Sequence, residues 1–386
     1  MLPITPRGFK DVLPQEARWR EDITSRVRAL LDLWGYAPIE TPTLEVLEVL
    51  EQAGSMSSMP FRLFDTDNQL LVLRPDVTLP LARLVAARLS PEDLPLRLRY
   101  VQRVFREEES LRAQAREFTQ VGVELIGIAG PWADAEVVQL FIEALDTCGL
   151  RGFTVSLCTV AVLNDLLDAA VAKGGADESW RREVLAAFHA SNLVRVERLA
   201  DDPRVNERFR LAVRKLFAVN GGREAIESCR ALVGPLGCGD GLDALEATWQ
   251  LLEALGSSER ARIDFSVMCS FDYYTGLVFE AYAPGSGSAL GSGGRYDRTL
   301  AAFGHDAPAA GCAFCLETVM HALDAQGSAG ADASAGAGAG AGTGTAVSMA
   351  EPTAAAALEA FAAAAALRAT GTTAQLTHTT PKGEVL

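Results

Sequence analysis

A few short stretches carry side chains whose types and spacing could do chemistry. In "LRPDVT", Arg74 and Asp76 stand where a strand gives way to a helix. A carboxylate there either caps the helix by accepting a backbone N–H or grips a ligand ammonium. In "VFREEESLRAQAREFTQVGVELIG", Arg106 closes one strand and Arg116 opens the next across a polar loop. Paired arginines of this kind can clamp a phosphate or carboxylate, although solvated surface charge is the commoner explanation. The same stretch sets Gln120, Gly122 and Glu124 on one strand face, opposite Val121, Val123 and Leu125. A strand rarely aligns an amide, a glycine and a carboxylate unless they meet solvent or a ligand. "FDYYTGLVFE" alternates too, so one of Tyr273 and Tyr274 belongs in the core and the other can reach a pocket. "GSGGRYDRTLAAFG" reads as a glycine turn ending at Arg295, a weak phosphate signal without the Lys-Ser/Thr of a P-loop. Cys312 and Cys315 have C-x-x-C spacing, but no second pair or nearby histidine completes a zinc set, which favours buried core thiols and no metal. "PRGFKDVLP" on spacing alone is a positively charged turn.

The elements that must position these groups follow from periodicity. Ile23, Val27, Leu30, Leu31 and Trp34 form a helical stripe closed by Gly35. "YAPIETPTLEVLEVLEQAG" gives a short strand broken by Pro42 and a second helix. "FRLFDTDNQLLVLRPDVTLPLARLVAARL" predicts a hairpin turning at Asp67-Asn68, a strand through Leu73 and a helix beginning near Asp76. "LRLRYVQRVFR" and "EFTQVGVELIG" are strands. Residues 131 to about 260 are mainly helical, interrupted by the strand "FTVSLC", with two helices joined by a glycine turn in "VRKLFAVNGGREAIESCRALV". Strands return at "RIDFSVMC", "GLVFEAYA" and "AAGCAFCLETVMHAL", the last passing into a helix. Runs of strands around a helical block predict an α+β fold with an antiparallel sheet flanked by helices. Beyond residue 326 the Gly/Ala-rich stretch to 350 reads as a flexible linker. Residues 351–386 could form a helix to about 369 and one strand, too few for a core of their own.

A chain of 386 residues, 49% hydrophobic and 22% charged, can bury a proper core. The formal charge of −15 opposes nucleic acid, which would need a concentrated basic patch. Seven scattered cysteines suit a reducing compartment, and the charged N-terminal stretch lacks a signal peptide's apolar region, so a cytoplasmic protein outside the membrane is expected.

In their order, "PRGFKDVLP", "GYAPIETPTLE", "LRPDVT", "FR" with "REFTQVGVELIG", "DYYTGLVFE", "GGRYD" and "GCAFCLE" resemble the successive motifs of the class II histidyl-tRNA synthetase catalytic core, from about residue 5 to 323. The resemblance implies the class II antiparallel sheet with a helical insertion at about 160–258. It also implies a pocket for free histidine, with Asp76 and Gln120 on the α-ammonium, Glu124 and Tyr274 on the imidazole side and Tyr273 beside them. Arg106, Arg116 and Arg295 are the candidate anion-binding cations.

Three positions depart from that pattern. Where the family's motifs carry cations, Cys269 stands in "VMCSFDYY", Thr318 in "CLETVMHAL" and Gln114 in the loop between strands. None of these neutral groups replaces a guanidinium against phosphate, and losing one electrostatic donor can cost a factor of about 10² to 10³ in rate. In place of an anticodon-binding domain there is a linker and a short alanine-rich segment. The sequence therefore resembles the synthetase-like family that serves as regulatory subunit of ATP phosphoribosyltransferase. That resemblance implies a non-catalytic dimer within a hetero-oligomer, partnered by a short-form catalytic subunit, with histidine as effector and no cofactor. The rival implication is an active histidyl-tRNA synthetase or another amino-acid-activating enzyme.

Overall fold

The computed structural model describes residues 4–52, 59–107, 115–190, 192–267, 273–327, 345–349 and 353–378. In chain order the elements are α1 (Pro14–Leu33), β1 (Ala37–Pro38), β2 (Leu44–Val46), α2 (Leu47–Glu51), β3 (Arg62–Phe64), β4 (Leu70–Leu73), α3 (Thr78–Arg88), β5 (Leu96–Phe105), β6 (Glu117–Ile126), α4 (Pro131–Thr147) and β7 (Thr154–Thr159). A helical block follows: α5 (Val160–Lys173), α6 (Glu178–His189), α7 (Leu193–Leu199), α8 (Glu207–Leu216), the two-residue β8 (Asn220–Gly221), α9 (Arg223–Val233) and α10 (Gly241–Ala254). The chain then returns to the sheet with β9 (Ala261–Asp264), β10 (Leu277–Tyr282), β11 (Gly291–Arg295) and β12 (Ala309–Cys315), and ends in α11 (Leu316–Ala325), β13 (Thr345–Met349), α12 (Ala354–Ala369) and β14 (Ala374–His378).

Nine strands form one sheet in the order β1-β5-β6-β12-β11-β10-β7-β9-β8. Its centre, from β5 to β7, is antiparallel, as expected, but β1 joins β5 and β9 joins β7 in parallel, so the whole sheet is mixed. The alternation of β6 decides its faces. Val121, Val123 and Leu125 enter the main core with α1 and α4, and α4 is so enclosed that Val137, Val138, Leu140 and Leu145 are all buried. On the other face Tyr100, Tyr296 and Leu300 pack with α3 residues Leu81, Ala82 and Val85 in a smaller cluster.

The hairpin β3–β4 turns at Asn68, which takes a left-handed φ of 62° that asparagine tolerates. The glycine-rich stretch at 291 is a strand instead of the expected turn. Its glycines make room for neighbours: a Cβ at Gly291 would lie 2.3 Å from the Ala313 carbonyl oxygen, and one at Gly293 would lie 2.4 Å from the Phe279 ring.

The C-terminal segment holds two strands, of which β13 falls inside the stretch expected as linker. β13 and β14 pair in parallel across α12. This unit joins the main core through Met349, Phe361, Ala364 and Leu376 instead of standing alone. Arg97 donates to the Leu376 carbonyl (2.8 Å), Gln375 to the Gly35 carbonyl (2.9 Å), and the Arg368 guanidinium lies 3.6 Å over the Trp34 ring. Among the described residues no helix is long and apolar enough to cross a membrane.

Candidate functional site

The Cβ-bearing positions of β6 that point away from the main core carry Gln120 and Glu124 into a cavity of about 190 Å³. Asp76 reaches the same cavity from the start of α3, Arg106 and Phe118 from the ends of β5 and β6, and Tyr273 and Tyr274 from the approach to β10. All five residues expected to hold an amino-acid ligand therefore meet here, together with Arg106. The two tyrosines precede the regular part of β10, so strand alternation does not separate them, and both rings line the cavity 4.9 Å apart.

Glu124 is 1% exposed and its carboxylate is collared by hydroxyls. Thr78 (2.9 Å) and Tyr100 (3.3 Å) donate to Oε1, and Tyr296 donates to Oε2. Burial pushes its pKa up to about 7, against the lowering by these three donors and with a further push from Asp76. Gly311 on the neighbouring strand makes this placement possible, since a Cβ there would lie 1.7 Å from Glu124 Oε2. Asp76 accepts the Leu79 N–H at 3.0 Å, so it does act as a cap while lining the cavity. Burial raises its pKa, partly opposed by that N–H and by Arg106. Gln120 lines the cavity, and its buried Oε1 is an orphan acceptor with no hydrogen-bond partner among the described residues. Arg106 donates its Nε–H to the Pro75 carbonyl at 2.9 Å and lies 4.9 Å over the Phe118 ring.

The other two candidate anion-binding arginines are not among the residues that line this cavity. Arg295 turns inward as a buried cation between Asp134 (2.7 Å) and Asp297 (2.9 Å). Arg116 pairs with Glu107 at 2.9 Å and covers the Phe61 ring at 4.4 Å, braced by Gly8, whose carbonyl accepts the Arg116 N–H. Arg74 is structural, with its guanidinium on the carbonyls of Thr41 and Arg103. Of the three positions that depart from the synthetase pattern, Thr318 lies in the first turn of α11, while Cys269 and Gln114 fall outside the described residues. Cys312 is buried and Cys315 lines the cavity, and among the described residues no group of three or more His, Cys, Asp or Glu side chains could hold a metal ion.

Sequence reasoning missed Thr78, Tyr100 and Tyr296. Tyr296 had a signal: it follows Arg295 in "GGRYD", and strand geometry sends neighbours to opposite faces, one to Asp134 and the other to Glu124.

The family model for histidyl-tRNA synthetase matches residues 8–319. A protein of Moorella thermoacetica named ATP phosphoribosyltransferase regulatory subunit is 39% identical over 327 residues, 83% of this chain and 82% of that protein. The chain belongs to the ATP phosphoribosyltransferase regulatory-subunit family. It is thus a histidyl-tRNA synthetase-like paralogue with the class II fold. A Bacillus pumilus protein of the same name is 35% identical over 323 residues, covering 83% of this chain and 81% of that one. The crystal structure of an ATP phosphoribosyltransferase regulatory subunit/histidyl-tRNA synthetase from Bacillus halodurans superposes with a TM-score of 0.77 at 31% identity, over 98% of this chain and 93% of that one. A coverage of 98% of this chain extends into the C-terminal β13-α12-β14 unit.

Proposed function

We propose that this chain is the non-catalytic regulatory subunit of ATP phosphoribosyltransferase in histidine biosynthesis. In this reading a separate short-form catalytic subunit depends on it for activity, and free histidine binds the β6 cavity to report feedback. The observation that carries the reading is the cavity's sign. Asp76, Glu124 and the orphan Gln120 Oε1 offer acceptors to ammonium and imidazole N–H donors, while Arg106 alone among the described lining residues offers a guanidinium. That set suits a zwitterion with a ring N–H better than a triphosphate. If histidine binds one arrangement of the complex more tightly than another, it shifts the population and the signal reaches the distant active site. We further propose a cytoplasmic homodimer within a hetero-oligomer, with residues 1–326 as the synthetase-like body. The test is reconstitution with a short-form catalytic subunit, assayed with and without histidine, beside ATP–pyrophosphate exchange by the chain alone. Product only in the mixture, without exchange, supports the reading. Histidine-dependent exchange by the chain alone overturns it in favour of an amino-acid-activating enzyme.

A further inference from the structure

Behind the tyrosine pair lies a second cavity of about 450 Å³, within the range of small-molecule sites. Tyr273 and Tyr274 line both cavities, so the two are neighbours sharing a wall. Its floor is a helical stripe on α5: Ala161, Asn164, Asp165 and Asp168 stand at i, i+3, i+4 and i+7, on a helix whose other face, with Val162, Leu163, Leu166 and Leu167, is buried. Arg298 and Thr299, from the turn after β11, also line it.

The charges of this second cavity sort themselves. Arg181 is committed to Asp168 at 2.6 Å. Arg298 is exposed and makes no hydrogen bond or ion pair among the described residues, while Asp165 has no cation among its partners and accepts the Gly241 N–H. The Thr299 hydroxyl is the decisive atom. Thr299 is 3% exposed and lines the cavity, and its buried Oγ1 has no partner among the described residues. A buried orphan hydroxyl costs free energy until something hydrogen-bonds to it. Two carboxylates against two guanidiniums leave the lining neutral, which disfavours a polyanion and equally a polyamine. One uncommitted cation beside a hydroxyl donor, with a carboxylate that lacks a cation beside an amide, fits a ligand carrying both signs.

We propose that this second cavity binds a small zwitterion of the amino-acid class, its carboxylate on Arg298 and the Thr299 hydroxyl and its ammonium on Asp165 and Asn164. The inference does not rest on what occupies the first cavity. It is tested by calorimetry on the full chain carrying Asp76→Asn, which removes a carboxylate charge from the first cavity, against each of the twenty free amino acids and inorganic phosphate. At least one amino acid binds with one site per chain in that background. Adding Arg298→Ala or Asp165→Asn weakens it by about tenfold or more, and Thr299→Val by a few-fold, with circular dichroism unchanged. Absence of amino-acid binding at millimolar concentration overturns the proposal, as does binding indifferent to both Arg298→Ala and Asp165→Asn. Binding of phosphate alone overturns the assignment to a zwitterion. Loss of histidine binding caused by Asp76→Asn itself speaks only to the first cavity, which keeps the two readings separable.

Discussion

Replacing Glu124 by glutamine removes one titration while keeping the shape of the side chain. In the folded chain the Glu124 pKa is raised from the ordinary 4.5 to about 7, because burial disfavours the carboxylate more than three hydroxyl donors favour it. The sign follows from linkage: between pH 4.5 and 7 the folded state holds a proton that the unfolded state has released, so stability falls as pH rises through this window. At roughly 1.4 kcal/mol per pKa unit, the full loss by pH 8 is about 3 kcal/mol. The group is buried, so solvent screening takes little from that figure. Glu124→Gln stays neutral throughout and still accepts through its amide oxygen, though its NH2 must donate where Tyr296 now donates to Oε2. Urea denaturation of both proteins from pH 4.5 to 8.5, without ligand, measures the difference. The stability gap should shift by about 3 kcal/mol in favour of Glu124→Gln as pH rises, while titrations remote from Glu124 cancel between the two curves. Parallel pH curves would refute the reasoning, since they would mean that the hydroxyl collar holds the carboxylate at its ordinary acidity.

Gly311→Ala puts a methyl into the space of Glu124 Oε2, so it should cost about 1 to 3 kcal/mol by overpacking and abolish histidine binding measured by calorimetry. Arg295→Ala strands Asp134, whose pKa burial already raises, and should destabilise the chain by about 3 to 5 kcal/mol in thermal or urea melts, whatever anion is present. Arg97→Ala strands Glu136, which Arg97 and Tyr36 now satisfy, and releases the Leu376 carbonyl. A loss of about 3 to 5 kcal/mol and faster proteolytic cleavage within 345–378 are expected, and an unchanged cleavage rate would show that the C-terminal unit is held without the Arg97 bond.

The parts of the site visible in the sequence were those encoded by local period. β6 announced its polar face because period-two alternation is a property of ten consecutive residues, and Gln120 and Glu124 arrived in the cavity together. What the sequence hid depends on contacts between distant segments. Thr78 and Tyr296 reach Glu124 across 46 and 172 residues, and no local pattern joins them. The glycines of 291–294 looked like a turn because glycine is common in turns. They serve a strand, where each absent Cβ admits a neighbour such as the Tyr274 ring, 2.7 Å from a Cβ built on Gly294. The alanine-rich C-terminal helix lacked enough large apolar groups for a core of its own, and it needed none, because Phe361 packs on Trp34 and Leu376 enters the main core while its carbonyl accepts from Arg97.

The tightly held groups of the first cavity also bear on how it could signal. Glu124, Tyr100 and Tyr296 are buried and both tyrosines donate to the Glu124 carboxylate, so a ligand there meets a preformed acceptor and pays little to order it. A rigid pocket of that kind senses a ligand but does not by itself change shape. The wall that the two cavities share is the tyrosine pair, in the short stretch before β10. A ligand that repositions Tyr273 or Tyr274 alters the volume on the far side, where Arg298 and Asp165 stand. Coupling between the two cavities would then be reciprocal, each ligand changing the affinity of the other by one factor. Titrating histidine at fixed saturation of the second site, and then the reverse, should return equal ratios of dissociation constants. A ratio of one in both directions would mean that the shared tyrosines separate the cavities without linking them.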